Sequence, residues 1–104
     1  MTGRMPIHPG EILHEEFLTP NNLSVWHIAQ AFGMDTNEIW EVIKGRRGIT
    51  PRLAVLLSHT FGNSAQFWMN LQSLYDLRMA EQLLSAKDLK GADTLAKELE
   101  TRKT

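Results

Sequence analysis

The sequence predicts an all-α protein, a five-helix bundle followed by a weak C-terminal helix or a tail. Three observations favour this class. Glycine and proline divide the chain at intervals of helical length, each interval opens on a capping residue, and apolar residues recur within it at spacings of three and four. No segment of useful length shows the apolar and polar alternation of a β-strand.

The first two helices precede a short turn. The first is predicted over Glu11–Leu18, with Leu13 and Phe17 on one face. Ser24 is a good N-cap for the second helix, which we expect to end at Gly33. The apolar residues of this second helix are Ile28, Ala29 and Phe32.

Capping residues also mark the next two helices. Asp35, followed three residues later by Glu38, predicts a capping box at the start of a third helix, which Gly45 closes. Its inward residues are Ile39, Val42 and Ile43. Thr50 and Pro51 place a cap and a first-turn proline before a fourth helix, predicted over residues 52–61.

The fifth helix, capped by Ser64 and predicted to run to about Leu84, carries more apolar surface than one neighbour can cover. We expect one part to pack on the domain and the rest to meet a second subunit; the alternative is a helix wrapped deeply into its own core. The predicted dimer-interface residues are Phe67, Trp68, Leu71, Leu74 and Tyr75.

The chain is therefore expected to form one domain over residues 1–84 and a charged tail over residues 85–104. Leu89, Leu95, Ala96 and Leu99 allow a weak final helix in that tail, although Gly91 interrupts it. We expect disorder at the last few residues.

Composition excludes several functional classes. A chain of 104 residues has room for one compact core, and without cysteine it can form neither a disulfide nor a thiolate zinc site. No apolar run approaches the ~18 residues of a membrane span, so the expected location is the cytoplasm.

Glu11, His14 and Glu15 share a helical face but lack the ligand pattern of a zinc site. No catalytic motif is present, and we expect no enzymatic activity, cofactor or metal.

The distribution of charge along the chain is more informative about binding partners than the net charge of −1. Residues 5–43 contain acidic side chains but no Lys or Arg, and then Lys44, Arg46, Arg47 and Arg52 follow with no acid among them. Such a basic cluster can offset phosphate charge locally even in a nearly neutral chain.

The second and third helices together predict a helix-turn-helix. A small residue at Ala29 allows the helices to approach closely, Gly33 permits a sharp turn, and Ile39 pins the third helix to the core. The third helix then presents its outward residues to the major groove of DNA. By helical phase, the predicted base contacts are Thr36, Asn37, Trp40, Glu41 and Lys44.

Residue chemistry assigns roles to these positions. Asn37 suits a bidentate contact to adenine. Thr36 could contact a thymine methyl group or a phosphate, and Lys44 could reach guanine or the DNA backbone. For Glu41 a solvated surface role is favoured, and Trp40 fits either a base contact or packing on a neighbour. The predicted phosphate contacts are Ser24, Arg46, Arg47 and Arg52.

Three ordered motifs resemble a known family. His8-Pro9-Gly10-Glu11, then Gly45-Arg46-Arg47-Gly48-Ile49-Thr50, then Phe67-Trp68-Met69-Asn70-Leu71-Gln72 with Tyr75-Asp76-Leu77 are similar to the HigA-type antitoxins, which belong to the XRE-like helix-turn-helix regulators and include proteins called virulence-associated protein I. The resemblance covers residues 6–80. It implies a lambda-repressor-like domain that dimerises, represses its own operon at a palindromic operator and neutralises a HigB-like toxin that cleaves mRNA.

Two further hypotheses compete with a dimeric repressor and antitoxin that binds double-stranded DNA. Asp35, Glu38 and Glu41 make the third helix acidic, which favours an interaction module or stand-alone regulator that has lost DNA affinity and has no toxin partner. The third hypothesis, an enzyme, has no supporting motif.

Overall fold

The computed structural model describes residues 5–103, which are helical and contain no β-strand. Its elements are α1 (Pro9–Ile12), continued directly by a π-helical segment (Leu13–Leu18), then α2 (Val25–Phe32), α3 (Thr36–Ile43), α4 (Pro51–Phe61), α5 (Ala65–Leu83) and α6 (Ala86–Arg102). The predicted all-α class is confirmed.

Side chains cap the N-termini of α2 to α5 as the sequence predicts. The oxygens of Ser24, Asp35, Thr50 and Ser64 each accept a hydrogen bond from a backbone N–H in the first turn of the helix that follows. At α3 the Glu38 carboxylate also accepts from the backbone N–H of Asp35, which completes the capping box. Caps of this kind satisfy backbone donors that the helix itself leaves unpaired.

An aromatic cluster joins the π-helical segment, α4 and α5. The indole of Trp68 is fully buried and packs against Phe17, Phe61 and Phe67 at centroid distances of 4.8, 6.4 and 5.2 Å. Its Nε1–H donates to Asn63 Oδ1 at 2.9 Å. The prediction that Trp68 lies at a dimer interface is therefore wrong, because its own domain covers the whole side chain. Of the other predicted interface residues, Leu71 and Tyr75 are half-buried, whereas Phe67 and Leu74 are exposed.

α1 approaches α3 closely enough to exclude a side chain between them. Gly10 is buried, and a Cβ atom at this position would overlap the backbone carbonyl of Val42. Leu13 and Val42 are buried in the same core. Glycine at position 10 therefore sets the distance between the first helix and α3.

The C-terminal segment is more regular than the expected weak helix or tail. α6 spans 17 residues and begins with a capping box formed by Ser85 and Asp88. All its residues are exposed, including Leu89, Leu95 and Leu99, and the molecule extends 59 Å along its longest axis. The capping box and good helix-forming residues outweigh the effect of Gly91. Thr104, where disorder was expected, lies outside the described residues, as do residues 1–4 of the predicted domain.

We expect Gly10→Ala to lower the free energy of unfolding by about 2 kcal/mol or more, because the added methyl group must push α1 away from α3. Urea unfolding followed by circular dichroism measures this change. Gly91→Ala is the matched control, since a Cβ atom there meets nothing within 4 Å, and it should leave stability unchanged or slightly higher. Wild-type stability in Gly10→Ala would show that the close approach is not a constraint.

Candidate nucleic-acid interface

α2 and α3 form the helix-turn-helix, and residues 33–35 join them. Gly33 ends α2 in a left-handed conformation, and the backbone N–H of Met34 donates to the carbonyl of Ala29 at 2.9 Å. Ala29 and Ile39 are fully buried, as expected of residues that hold the two helices together.

The outward face of α3 is formed by Asn37, Trp40 and Lys44, all exposed. Their spacing of three and four places them on one side of the helix. The Lys44 Nζ atom lies 5.8 Å from the centroid of the Trp40 ring, within the range of a cation–π interaction. Thr36 and Glu41 are half-buried at the edges of this face. The five predicted base-contact residues therefore lie on or beside one surface of α3.

The turn after α3 folds the segment that carries Arg46 and Arg47, the basic loop, back against the helix. Gly45 has a φ of 78°, a conformation that favours glycine. Past it, the backbone N–H groups of Arg46 and Arg47 donate to the carbonyl of Glu41 at 2.8 and 3.2 Å. As a result, Arg46 Nη1 lies 3.4 Å from Glu41 Oε2, and Arg47 Nη1 lies 3.4 Å from Glu38 Oε2.

A buried amide fixes the other end of this loop. Gln72 of α5 accepts a hydrogen bond from the backbone N–H of Ile49 at 2.7 Å through Oε1, and its Nε2 donates to Asp76 Oδ1 at 2.9 Å. A Cβ atom on Gly48 would lie 3.0 Å from the Gln72 amide carbon. Gln72 was not singled out from the sequence as a positioning residue. The available signal was a polar residue on the inward side of α5, between Trp68 and Tyr75.

His8 lies where α1, the turn after α3 and α5 meet. Its Nδ1 accepts a hydrogen bond from the backbone N–H of Gly10 at 2.9 Å and so caps α1. The ring packs edge-on against Tyr75, with centroids 4.6 Å apart, and borders Gly45. Burial lowers the pKa of His8 below its ordinary value of 6.5, although the Asp76 carboxylate raises it. At neutral pH the imidazole is therefore uncharged and can accept this bond.

The predicted phosphate contacts are all exposed side chains. Ser24 caps α2, and Arg52 lies in the first turn of α4. Arg47 and Arg52 line one cleft together with Glu38 and Thr50. The sequence reasoning overlooked Trp26, whose side chain is 59% exposed in the first turn of α2. A tryptophan in the first turn of an amphipathic helix was the available signal for it.

The predicted dimer residues lie on another part of the molecule. Leu71, Leu74 and Tyr75 line a small cleft with Pro6, Ile7, Ile12 and Arg78. Within residues 5–103 no three acidic or histidine side chains are grouped closely enough to hold a metal ion, and no helix is long and apolar enough to cross a membrane.

Comparison with known proteins places this arrangement among DNA-binding regulators. Virulence-associated protein I of Dichelobacter nodosus is 49% identical over 81 residues, which are 77% of this chain and 75% of the relative. The structure of Pseudomonas aeruginosa PA4674 in complex with its operator DNA has a TM-score of 0.75 and 40% identity, over 82% of this chain and 91% of that one.

A second solved structure is that of the Pseudomonas aeruginosa antitoxin HigA with the higBA promoter. It has a TM-score of 0.70 and 38% identity, over 78% of this chain and 97% of that one. No protein-family profile matches the chain. The extent and identity of these matches show that the chain belongs to the HigA-type antitoxin family of helix-turn-helix regulators, which includes virulence-associated protein I.

Proposed function

We propose that the protein is a sequence-specific transcriptional repressor that binds its own operator as a dimer and acts as the antitoxin of a HigBA-like pair. The observation that carries this proposal is the exposed face of α3 (Asn37, Trp40 and Lys44) beside the basic loop that holds Arg46 and Arg47. Relatives of the same fold, solved with operator DNA, support the assignment.

In this proposal the two parts of the interface act differently. Arg46, Arg47, Arg52 and the α2 N-terminus at Ser24 meet phosphates and set the position of the domain. The residues of α3 read base edges in the major groove, where Asn37 can pair with adenine. Its exposed side-chain amide makes no hydrogen bond within residues 5–103 and so is available for such a contact. The two half-sites should lie about 34 Å apart.

Other properties follow from the same proposal. Residues 1–84 bind DNA and dimerise, and residues 85–104 form an appended segment. The protein works in the cytoplasm, has no enzymatic activity, and binds a HigB-like toxin that cleaves mRNA. These assignments rest on family membership.

Dimerisation is assigned to α5, where Phe67, Leu71 and Leu74 follow one another at spacings of four and three. Phe67 and Leu74 remain 38% and 46% exposed, and the adjoining cleft is partly apolar. A second copy can cover this stripe with its own, because a two-fold axis brings identical surfaces together.

The alternative is an interaction module with little DNA affinity. The observation that favours it is the pairing of Arg46 with Glu41 and of Arg47 with Glu38, which offsets positive charge at the surface meant for DNA. Co-purification with a small basic protein, without any salt-sensitive complex on DNA from upstream of its gene, would favour this alternative.

Arg46→Ala and Arg47→Ala should each weaken binding about equally on all duplexes and reduce the slope of log affinity against log salt by about 1. Asn37→Ala should instead remove about 1–3 kcal/mol of discrimination at particular base pairs. Fluorescence anisotropy on an operator set at several salt concentrations separates the two effects. Arg102→Ala removes one positive charge from α6, outside the proposed interface, and is therefore the control for the change in net charge. Equal losses on every duplex for Asn37→Ala would contradict its assigned role.

Leu74→Glu should convert the dimer to a monomer, because a charge in the α5 stripe must be desolvated when two copies meet. Analytical ultracentrifugation measures the mass. Leu99→Glu, on the exposed face of α6, is the matched control, since Leu99 is 48% exposed and Leu74 is 46% exposed. A wild-type monomer, or a dimer that persists in Leu74→Glu, would contradict the assignment of the interface to α5.

A further inference from the structure

The proposed DNA interface has four basic side chains, those of Lys44, Arg46, Arg47 and Arg52. Two of the four already have an acidic partner. Arg46 pairs with Glu41 and Arg47 with Glu38, each through a single Nη1 to Oε2 contact of 3.4 Å. Arg52 has no ion-pair partner within residues 5–103, and Lys44 lies over the Trp40 ring. The loop that should meet phosphate is thus partly neutralised by the helix that should read the bases.

The backbone enforces this pairing. The partners are five and nine residues apart, so helical periodicity does not bring them together. They meet because Gly45 reverses the chain and because the N–H groups of Arg46 and Arg47 both donate to the Glu41 carbonyl. These hydrogen bonds fix the backbone of Arg46 and Arg47 beside the last turn of α3, so that both guanidinium groups are within reach of the carboxylates.

The pairs are weak enough to be broken by DNA. The arginine side chains are 65% and 51% exposed and those of Glu41 and Glu38 are 39% and 41% exposed, so water and salt screen both pairs. Each guanidinium uses one N–H on its partner and keeps other donors for a phosphate. A phosphate that reaches the arginine also comes within a Debye length, about 8 Å at physiological salt, of the carboxylate, and is repelled by it.

We propose that Glu38 and Glu41 are positioning residues that compete with DNA phosphates for Arg47 and Arg46 and so limit the strength of DNA binding. This inference rests on the proposed function. The two carboxylates act through the arginines, and their effect falls on every duplex because phosphates carry no sequence information. The acidic recognition helix thereby makes operator binding readily reversible.

The decisive substitutions are Glu41→Gln and Glu38→Gln, which keep side-chain shape and remove one negative charge each. Glu38→Gln also keeps an oxygen that can accept from the Asp35 backbone N–H, so the capping box survives. Each variant should bind any duplex about threefold to tenfold more tightly, and its salt slope should steepen by up to about 1. A purely structural role for the glutamates would leave the salt slope unchanged.

The control is Glu100→Gln on α6, which changes net charge by the same amount and should have little effect. Binding by wild-type protein with no gain in either glutamine variant would overturn the inference and leave the proposed function standing. An equal gain in Glu100→Gln would also overturn it, since net charge alone would then suffice. The absence of any salt-sensitive complex with wild-type protein would reject the proposed function and this inference together.

Discussion

The buried side-chain amide of Gln72 is the constraint on which the presentation of the basic loop depends. Its oxygen satisfies the backbone N–H of Ile49, a donor that water cannot reach and that would otherwise be unpaired. Since α5 is fixed by the fully buried Trp68 in the aromatic cluster, the hydrogen bond ties the loop to the hydrophobic core. The same junction includes His8, whose ring borders Gly45 at the start of the loop.

The helical framework was largely predictable because its signals are local. A cap such as Ser24 and a stop such as Gly33 act within one turn of the chain, so sequence alone located these helix ends. Longer-range features were missed or misjudged. Trp68 was assigned to an interface because periodicity identifies an apolar stripe without showing its neighbours. α6 was expected to be weak because Gly91 interrupts it, and the capping box of Ser85 and Asp88 was not recognised from the sequence.

The candidate site likewise has features that were predictable from the sequence and features that were not. Helical phase was enough to identify Asn37 and Lys44 as outward residues of α3, and their exposure agrees with it. The partners of Arg46 and Arg47 were not predictable, because a turn rather than a helix brings them to Glu41 and Glu38. The acidity that counted against DNA binding in the sequence is organised by the fold into pairs with the arginines.

The most direct test of this account is the hydrogen-exchange rate of the Ile49 amide, measured by NMR in Gln72→Leu and in wild-type protein. Loss of a buried hydrogen bond should accelerate this exchange by about tenfold or more while the helices keep their protection. Gln66→Leu, on the exposed side of α5 where Gln66 bonds Asn70, should exchange at the wild-type rate. Unchanged Ile49 protection in Gln72→Leu would contradict the claim that Gln72 fixes the loop.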